Sequence, residues 1–228
     1  MNKPNQLIIL GGGTSLREGI SKGLWDKLQN TWTFGLNYSY KYFASTCQLF
    51  IDDKFYTGQK EELAKLPLII GRNRQIKTLP NTILLPASNS KYDRDLLCGV
   101  YKASLVGIFA LSLAIKILDK GEIYLLGYDY SGQGKDNKGR ANTHFYQGEI
   151  NHRGIGKINY YDMKGRAGKD FGVYKDEKKI KIYNVSPKSH INIFDKISYE
   201  DFFKKLDKKQ YNQDLLRTEI KNKLKGIK

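Results

Sequence analysis

The chain contains short apolar runs that each end at glycine or at a polar side chain. The first, Leu7 to Leu10, is followed by three glycines, and the clearest strand pattern, Glu122 to Leu126, is followed by Gly127-Tyr128-Asp129. Short runs without polar alternation are typical of strands buried on both faces of a parallel sheet. The same pattern predicts further strands over residues 32–36, 48–51, 68–70, 83–85 and 180–185.

Segments with helical periodicity lie between these runs. Ser15 and Glu18 have the spacing of a capping box and predict a helix that continues to about Gln29. Further helices are predicted over residues 54–66, 99–118 and 199–206, the last of them capped by Ser198. Strands that alternate with helices predict an α/β fold, namely a Rossmann-like single domain with a mostly parallel sheet.

The pattern also predicts how the chain is organised. We expect a nucleotide-binding domain over residues 1–206 and a basic C-terminal tail over residues 207–228. Residues 130–170, which show little periodicity, are expected to form a lid-like loop region within the domain. The tail is expected to be dispensable for folding and to strengthen the binding of a polyanion; the alternative is that it docks as a helix on the domain or on a second subunit. Docking would use the apolar positions on one helical face, which are Leu215, Leu216, Ile220 and Leu224.

The charge of the chain is its most unusual overall property. The formal net charge is +16, because 39 Lys and Arg residues outnumber 23 Asp and Glu residues. Such a charge favours an anionic partner, such as nucleic acid, a phosphorylated ligand or an acidic glycan. The alternative is a lysine bias from an AT-rich genome, since lysine greatly exceeds arginine. Charge alone therefore does not identify a partner.

Cysteine usage and hydropathy bear on location. Cys47 and Cys98 lie in apolar surroundings without a metal-binding spacing, as in a reduced intracellular protein. The N-terminal residues lack the pattern of a signal peptide. The longest apolar stretch, Ala103 to Leu118, is interrupted by polar residues and is shorter than the ~20 residues that a membrane span needs. We therefore expect a cytoplasmic protein without a membrane span, and a homo-oligomer is left open.

The loop after the first strand is the strongest candidate for ligand binding. Its glycines lack Cβ atoms, so backbone N–H groups can approach a phosphate, and the start of the following helix adds partial positive charge. The loop is neither a Walker A motif nor a full dinucleotide fingerprint, because Leu16 replaces the third glycine. A tight turn with a helix cap at Ser15 is the structural alternative. Replacement of Gly12 by valine is expected to abolish binding. The residues predicted to bind a nucleotide phosphate are Gly11, Gly12, Gly13, Thr14 and Ser15.

Polar side chains follow the other predicted strands and should meet this loop at the carboxyl edge of the sheet. Asn37 can bind a base or ribose, or it is an ordinary turn residue. Asp52 and Asp53 can hold a ribose or a divalent metal, or they cap the next helix. Asp129 follows a very apolar strand, where a carboxylate needs partners. It either orients neighbouring loops or coordinates a metal.

The histidines decide the acid–base chemistry. His144 and His152 lie in the loop region after Asp129, and a histidine at the ligand edge can act as a general base near neutral pH. His144 is the first candidate and His152 the second, although loop histidines are often merely exposed. His190 follows the segment Ser186–Ser189.

Three stretches, taken together, resemble a known family. They are Ile8-Ile-Leu-Gly-Gly-Gly-Thr-Ser-Leu16, the segment from Gly107 to Leu-Leu-Gly-Tyr-Asp129, and Ile182-Tyr-Asn-Val-Ser-Pro-Lys-Ser189. In this order they resemble the bacterial sialyltransferases typified by Campylobacter lipooligosaccharide enzymes (glycosyltransferase family 42). The chain is also similar to the DUF115 group and its phage-encoded relatives.

The resemblance implies a GT-A-like sialyltransferase fold and a CMP-sugar or another nucleotide donor. The donor would be bound by the first loop, by Asn37 and by the helix start near Ser104 and Gly107. His144 or His152 would deprotonate the acceptor hydroxyl, and Tyr160 or Tyr161 would donate a hydrogen bond to the departing phosphate. The chain differs from the family at the helix start, where Leu105-Val106-Gly107 stands and Ser104 is displaced.

The expected function is thus a nucleotide-sugar-dependent glycosyltransferase, and two alternatives stay open. DUF115 relatives include pterin pyrophosphokinases, which would use ATP and a Mg²⁺ ion held by Asp52, Asp53 and Asp129. The other alternative is a non-catalytic protein that binds a nucleotide or a nucleic acid.

Overall fold

The structure is a computed structural model that describes residues 4–72, 77–85, 105–130, 144–146 and 170–225. The strands in this part are β1 (Gln6–Leu10), β2 (Thr33–Leu36), β3 (Cys47–Phe50), β4 (Ile69–Arg72), β5 (Thr82–Leu85), β6 (Gly121–Leu126), β7 (Ile180–Asn184) and β8 (Asp195–Lys196). They form one sheet in the order β5-β4-β3-β2-β1-β6-β7-β8, and every neighbouring pair is parallel. The predicted α/β fold with a parallel sheet is confirmed.

The helices of the described residues are α1 (Leu16–Ser21), α2 (Leu24–Lys27), α3 (Asp53–Gly58), α4 (Lys60–Leu63), α5 (Val106–Leu118), α6 (Tyr199–Lys205) and α7 (Gln213–Leu224). The helices predicted over residues 15–29 and 54–66 are each divided into two shorter ones. The helix expected to continue to Gln29 is divided at Gly23, which has a φ of 77°. This left-handed conformation ends a helix and suits glycine. The cap predicted at Ser198 is confirmed, because its hydroxyl accepts a hydrogen bond from the Asp201 N–H at 3.1 Å.

The order of the strands places a topological switch point between β1 and β6. From β1 the chain builds the sheet outward through β2, β3, β4 and β5, and it then returns to add β6 on the other side of β1. Helix α5 makes this return and packs against β1, β2, β3 and β6. Because the strands are parallel, the loops after β1 and β6 leave the same edge of the sheet side by side.

Both faces of the sheet are covered by apolar side chains. Leu7 and Ile9 of β1 face the layer that contains α5 and α7, whereas Ile8 and Leu10 face the layer that contains α1, α2 and α6. Burial on both faces explains why the strands read as continuous apolar runs. No helix within the described ranges has the length and apolar character that crossing a membrane requires.

The segment predicted as a basic tail contributes to the core. Leu216, Ile220 and Leu224 of α7 are buried against the α5 side of the sheet. The Arg217 guanidinium donates to the Thr46 carbonyl at 3.0 Å. The boundary predicted at residue 206 is therefore wrong, because the folded unit continues through α7. Leu215 was predicted on the docking face, but it is 47% exposed, since the buried positions repeat every four residues.

Replacing Ile220 by alanine is expected to lower the free energy of unfolding by about 2–5 kcal/mol, because a fully buried side chain leaves a cavity. Leu215→Ala is the matched control on the same helix and should change stability by less than about 0.5 kcal/mol. Urea denaturation measures both values. Equal unfolding midpoints for the two variants would show that α7 does not dock.

Candidate functional site

The carboxyl edge of the sheet collects the polar groups that follow the strands. The glycine loop follows β1, Asn37 follows β2, Asp52 lies two residues after β3, Asp129 lies three residues after β6 and Ser186 lies two residues after β7. All these strands run in the same direction. The predicted placement of these groups at one edge therefore follows from the observed topology.

Asp129 is the central side chain of this edge, and it is only 2% exposed. Its Oδ2 atom accepts hydrogen bonds from the Thr14 hydroxyl at 3.1 Å and from the Ser15 N–H at 2.8 Å. Its Oδ1 atom accepts from the Ser15 hydroxyl and from the Ser186 hydroxyl, the latter at 2.7 Å. One buried carboxylate thus joins the loops after β1, β6 and β7. The sequence left two roles open for Asp129, namely orienting the neighbouring loops and coordinating a metal. These contacts support the first role.

A helix begins directly after Ser15, as predicted, but the predicted side-chain cap at Ser15 is wrong. Ser15 has helical backbone angles (φ −60°, ψ −21°) and its side chain accepts no capping hydrogen bond. Its hydroxyl and its N–H both donate to Asp129 instead. The N-terminus of α1 carries partial positive charge, which favours an anion. A carboxylate of the protein itself therefore already occupies this position. A phosphate can reach the Ser15 N–H only by displacing Asp129.

Two of the three glycines serve packing within the protein. The N–H groups of Gly11 and Gly13 donate to the carbonyls of Leu126 and Gly127, both at 2.8 Å. A Cβ atom on Gly11 would lie 2.7 Å from the Gly127 carbonyl oxygen, and one on Gly13 would lie 2.6 Å from Asp129 Cγ. The expectation that these two N–H groups face a phosphate is wrong, because the β6 turn already occupies that side.

Gly12 differs from the two neighbouring glycines, because the atoms nearest to a Cβ atom added to it would all belong to side chains and none to backbone. A Cβ atom there would lie 2.6 Å from His144 Cδ2 and 3.3 Å from the Tyr146 hydroxyl. Within the described chain, the N–H groups of Gly12 and Thr14 donate to no protein acceptor. These two amides are the donors that the loop offers to a ligand. Valine at position 12 would displace His144, so loss of binding in Gly12→Val would not by itself identify a phosphate site.

The segment 144–146 is held on the glycine loop by three kinds of contact. The Phe145 N–H donates to the Gly12 carbonyl at 2.8 Å. Nε and Nη2 of Arg17 both donate to the Phe145 carbonyl, at 3.1 and 3.0 Å. The Phe145 ring packs edge-on against Tyr42 at 4.9 Å. These contacts place His144, the predicted base, beside Gly12, and its catalytic role stays a prediction.

A group of tyrosines borders His144 and was missed by the sequence reasoning. The Tyr146 ring lies 5.0 Å from His144, 5.6 Å from Tyr38 and 6.4 Å from Tyr42, measured between ring centroids. Tyr38 and Tyr40 belong to a 3₁₀ helix, Asn37–Lys41, directly after β2. Burial raises the pKa of the Tyr146 hydroxyl, and burial together with Glu62 raises that of Tyr40 to about 12. The alternation of tyrosines after Asn37, at positions 38, 40 and 42, is the sequence pattern that could have indicated this group.

Asn37 has a left-handed backbone conformation. Its φ is 49°, in the left-handed region that asparagine enters more readily than most residues. Gln48 Nε2 donates to its carbonyl at 2.8 Å and holds this turn. Within the described chain the Asn37 side chain makes no hydrogen bond, so its amide is available at the carboxyl edge.

Asp52 acts as a helix cap. Its Oδ1 atom accepts from the N–H groups of Lys54 at 2.8 Å and Phe55 at 3.5 Å, at the start of α3. Among the described side chains, no three or more His, Cys, Asp or Glu residues converge as metal ligands. The three aspartates predicted to hold Mg²⁺ are not brought together, because Asp52 and Asp53 follow β3 whereas Asp129 follows β6, three strands away in the sheet, and is turned into the protein.

The remaining predicted residues divide into one described and four undescribed positions. Gly107 is buried at the start of α5, where the Tyr128 hydroxyl donates to its carbonyl at 3.1 Å. A Cβ atom on Gly107 would lie 2.9 Å from the Tyr130 hydroxyl. The positions outside the described residues are Ser104, His152, Tyr160 and Tyr161.

A pair of alanine substitutions should separate the two kinds of glycine. Gly13→Ala is expected to lower the free energy of unfolding by about 1–3 kcal/mol, since the added methyl group meets Asp129 and the backbone at Gly127. Gly12→Ala should cost less, because only the side chains of His144 and Tyr146 have to move. Urea denaturation of both variants tests this difference. A larger loss for Gly12→Ala would contradict the described packing of the loop.

Comparisons of the chain with protein-family models, with curated proteins and with solved structures found no match.

Proposed function

We propose that this protein binds a nucleotide-sugar donor, of the CMP-sugar type, at the carboxyl edge between β1 and β6 and transfers the sugar to an acceptor hydroxyl. The observation that carries the proposal is the strand order. In open parallel sheets, ligands bind outside the carboxyl ends of the strands at the topological switch point. The glycine loop and the turn at Asp129 lie at that point.

The groups around the switch point support an anionic, hydrogen-bonding ligand. The N–H groups of Gly12 and Thr14 are available donors, and the Asn37 amide is available for a base or a ribose. Helix α5 runs toward β6 from the carboxyl edge, so its N-terminus also faces this edge. Its first residue follows Leu105, which provides no side-chain cap. The α5 dipole therefore favours negative charge there.

In the proposed reaction, His144 is the general base. An imidazole nitrogen takes the proton of the acceptor hydroxyl while the acceptor oxygen forms a bond to the anomeric carbon of the donor. The bond between that carbon and the phosphate oxygen breaks, and the nucleotide leaves with the electron pair. The position of His144 beside Gly12, whose N–H is available, supports proximity of base and phosphate.

A thermal-shift panel tests the binding step. Free CMP, UDP, GDP and AMP, ATP with and without Mg²⁺, and a polynucleotide are compared at equal concentration. A ligand that binds the folded state at 100 times its Kd adds about 2.7 kcal/mol of stability. We expect CMP to give the largest shift, and Asn37→Gly, which tolerates the left-handed backbone conformation, to lose that shift while the ligand-free Tm changes little.

Other outcomes of the panel would reject the proposal. A shift with ATP that requires Mg²⁺ would favour the pyrophosphokinase alternative. A shift only with polynucleotide would favour a non-catalytic nucleic-acid-binding protein. No shift with any mononucleotide would remove the basis for a donor site at this edge.

A further inference from the structure

A second functional surface lies at the opposite edge of the sheet, where β1, β6 and β7 begin. Lysines precede β6 and β7 and lie at and after the C-terminal end of α6, and all of them are exposed. They are Lys120, Lys178, Lys179, Lys205, Lys208 and Lys209, which together are called the basic edge below.

Hydrogen bonds between the surrounding segments bring these lysines together. The Gly121 N–H donates to the Lys179 carbonyl at 3.2 Å, which joins the starts of β6 and β7. The Gln6 side chain at the start of β1 donates to the Lys205 carbonyl at 2.9 Å and accepts from the Asp207 N–H at 2.7 Å. Neighbouring strands are about 4.8 Å apart, so the starts of the three strands span only about 10 Å.

The charges of the basic edge are not cancelled by ion pairs. Within the described chain, none of its six ammonium groups has a carboxylate within 4.0 Å.

Two nearby acidic groups, Glu122 and Asp207, accept hydrogen bonds from side chains outside the basic edge. Glu122 accepts from Gln6 at 2.8 Å and from the Tyr124 hydroxyl at 2.7 Å. Asp207 accepts from the Tyr211 hydroxyl at 2.8 Å. The pKa of the Asp207 carboxyl is lowered, first by the hydrogen bond from the Lys209 N–H. The lysine side chains are therefore left to face solvent or a partner.

We infer that the basic edge binds the phosphate backbone of duplex nucleic acid. Lysine side chains at such density match the closely spaced charges of a duplex, and contacts to phosphate carry no sequence information. Single-stranded nucleic acid is usually bound through exposed aromatic rings. The ring beneath Lys205 is that of Tyr183, which is only 6% exposed. The surface therefore fits a duplex better than a single strand.

The apolar surface argues against a membrane as the partner. Peripheral membrane helices insert a row of large apolar side chains beside their basic residues. Among the described residues, the only exposed large apolar side chain is Leu215, on α7. The basic edge is also separate from the proposed nucleotide site. The length of β1, five residues, places the two edges about 16 Å apart.

Fluorescence anisotropy with a labelled 20-base-pair duplex, titrated at several salt concentrations, tests the inference. The variant Lys179→Gln/Lys208→Gln removes two charges from the basic edge. Neutralising two phosphate contacts should reduce the slope of log K against log salt by about 1.8 and raise Kd at fixed salt. The matched control Lys54→Gln/Lys188→Gln removes two exposed charges from the carboxyl edge and should keep the wild-type slope.

Three results would overturn the inference. Equal losses in both variants would mean that binding follows net charge and not this surface. Absence of duplex binding by the wild-type protein at 50 mM salt would remove the partner. Binding to vesicles of anionic lipid without binding to the duplex would assign the basic edge to a membrane surface. Unfolding midpoints in urea confirm that both variants are folded.

Discussion

Replacing Asp129 by alanine is expected to lower the free energy of unfolding by about 3–5 kcal/mol. The substitution removes a buried carboxylate that accepts four hydrogen bonds, and it leaves donors from Thr14, Ser15 and Ser186 without an acceptor. A buried donor that loses its partner costs about 1–3 kcal/mol, and hydrogen bonds to charged groups are stronger than neutral ones. Since three loops share this acceptor, their positions should loosen together.

Asp129→Asn separates the role of charge from the role of shape. The amide has nearly the same volume, but one oxygen becomes an NH₂ group that would face a hydroxyl or N–H donor. We expect a loss smaller than that of Asp129→Ala but clearly larger than that of Asp195→Ala, an exposed aspartate on β8. The control should stay within about 0.5 kcal/mol of wild type. Urea unfolding gives all three values.

If Asp129→Ala were as stable as the exposed control, Asp129 would not be the structural centre of this edge. Its carboxylate would then be free for a direct role toward a ligand. Measurement of CMP binding by the same variant would decide that question: loss of binding in a variant as stable as the control would assign the carboxylate a direct contact with the ligand, and unchanged binding would exclude one.

The second large effect is expected at His144. Under the proposed function, His144→Ala should lower turnover by a factor of about 10²–10⁴, which is the usual contribution of a general base. The affinity for the free nucleotide should change little, because Gly12, Thr14 and Asn37 provide the proposed contacts to it. Steady-state kinetics with the donor found in the nucleotide panel measures these quantities.

Two further histidine variants make this prediction specific. His190→Ala is a matched control at the same edge, because the His190 backbone N–H donates to the Asp129 carbonyl at 2.9 Å, and it should retain most turnover. His152→Ala tests the second candidate base. Loss of turnover in His152→Ala with full turnover in His144→Ala would transfer the role to His152. Full turnover in both would exclude a histidine base.

Several parts of the fold and site were predictable from local sequence. A strand buried on both faces reads as a short apolar run, so β1, β3 and β6 were found with small errors at their ends. Once a parallel sheet is predicted, residues after the strands must share an edge. This is why Asn37 and Asp129 were placed at one edge from the sequence alone. The cap at Ser198 was likewise recognisable, because its acceptor and donor are three residues apart.

The partner of each polar group was decided only by the tertiary structure. Ser15 and Glu18 have the spacing of a capping box, yet Ser15 donates to a carboxylate 114 residues away. A buried carboxylate without hydrogen-bond donors would cost more free energy than the loss of a local helix cap. The docking of α7 and the contact of His144 with Gly12 likewise join distant segments. Periodicity records which residues are buried within an element, whereas the choice among distant buried partners depends on how the elements pack.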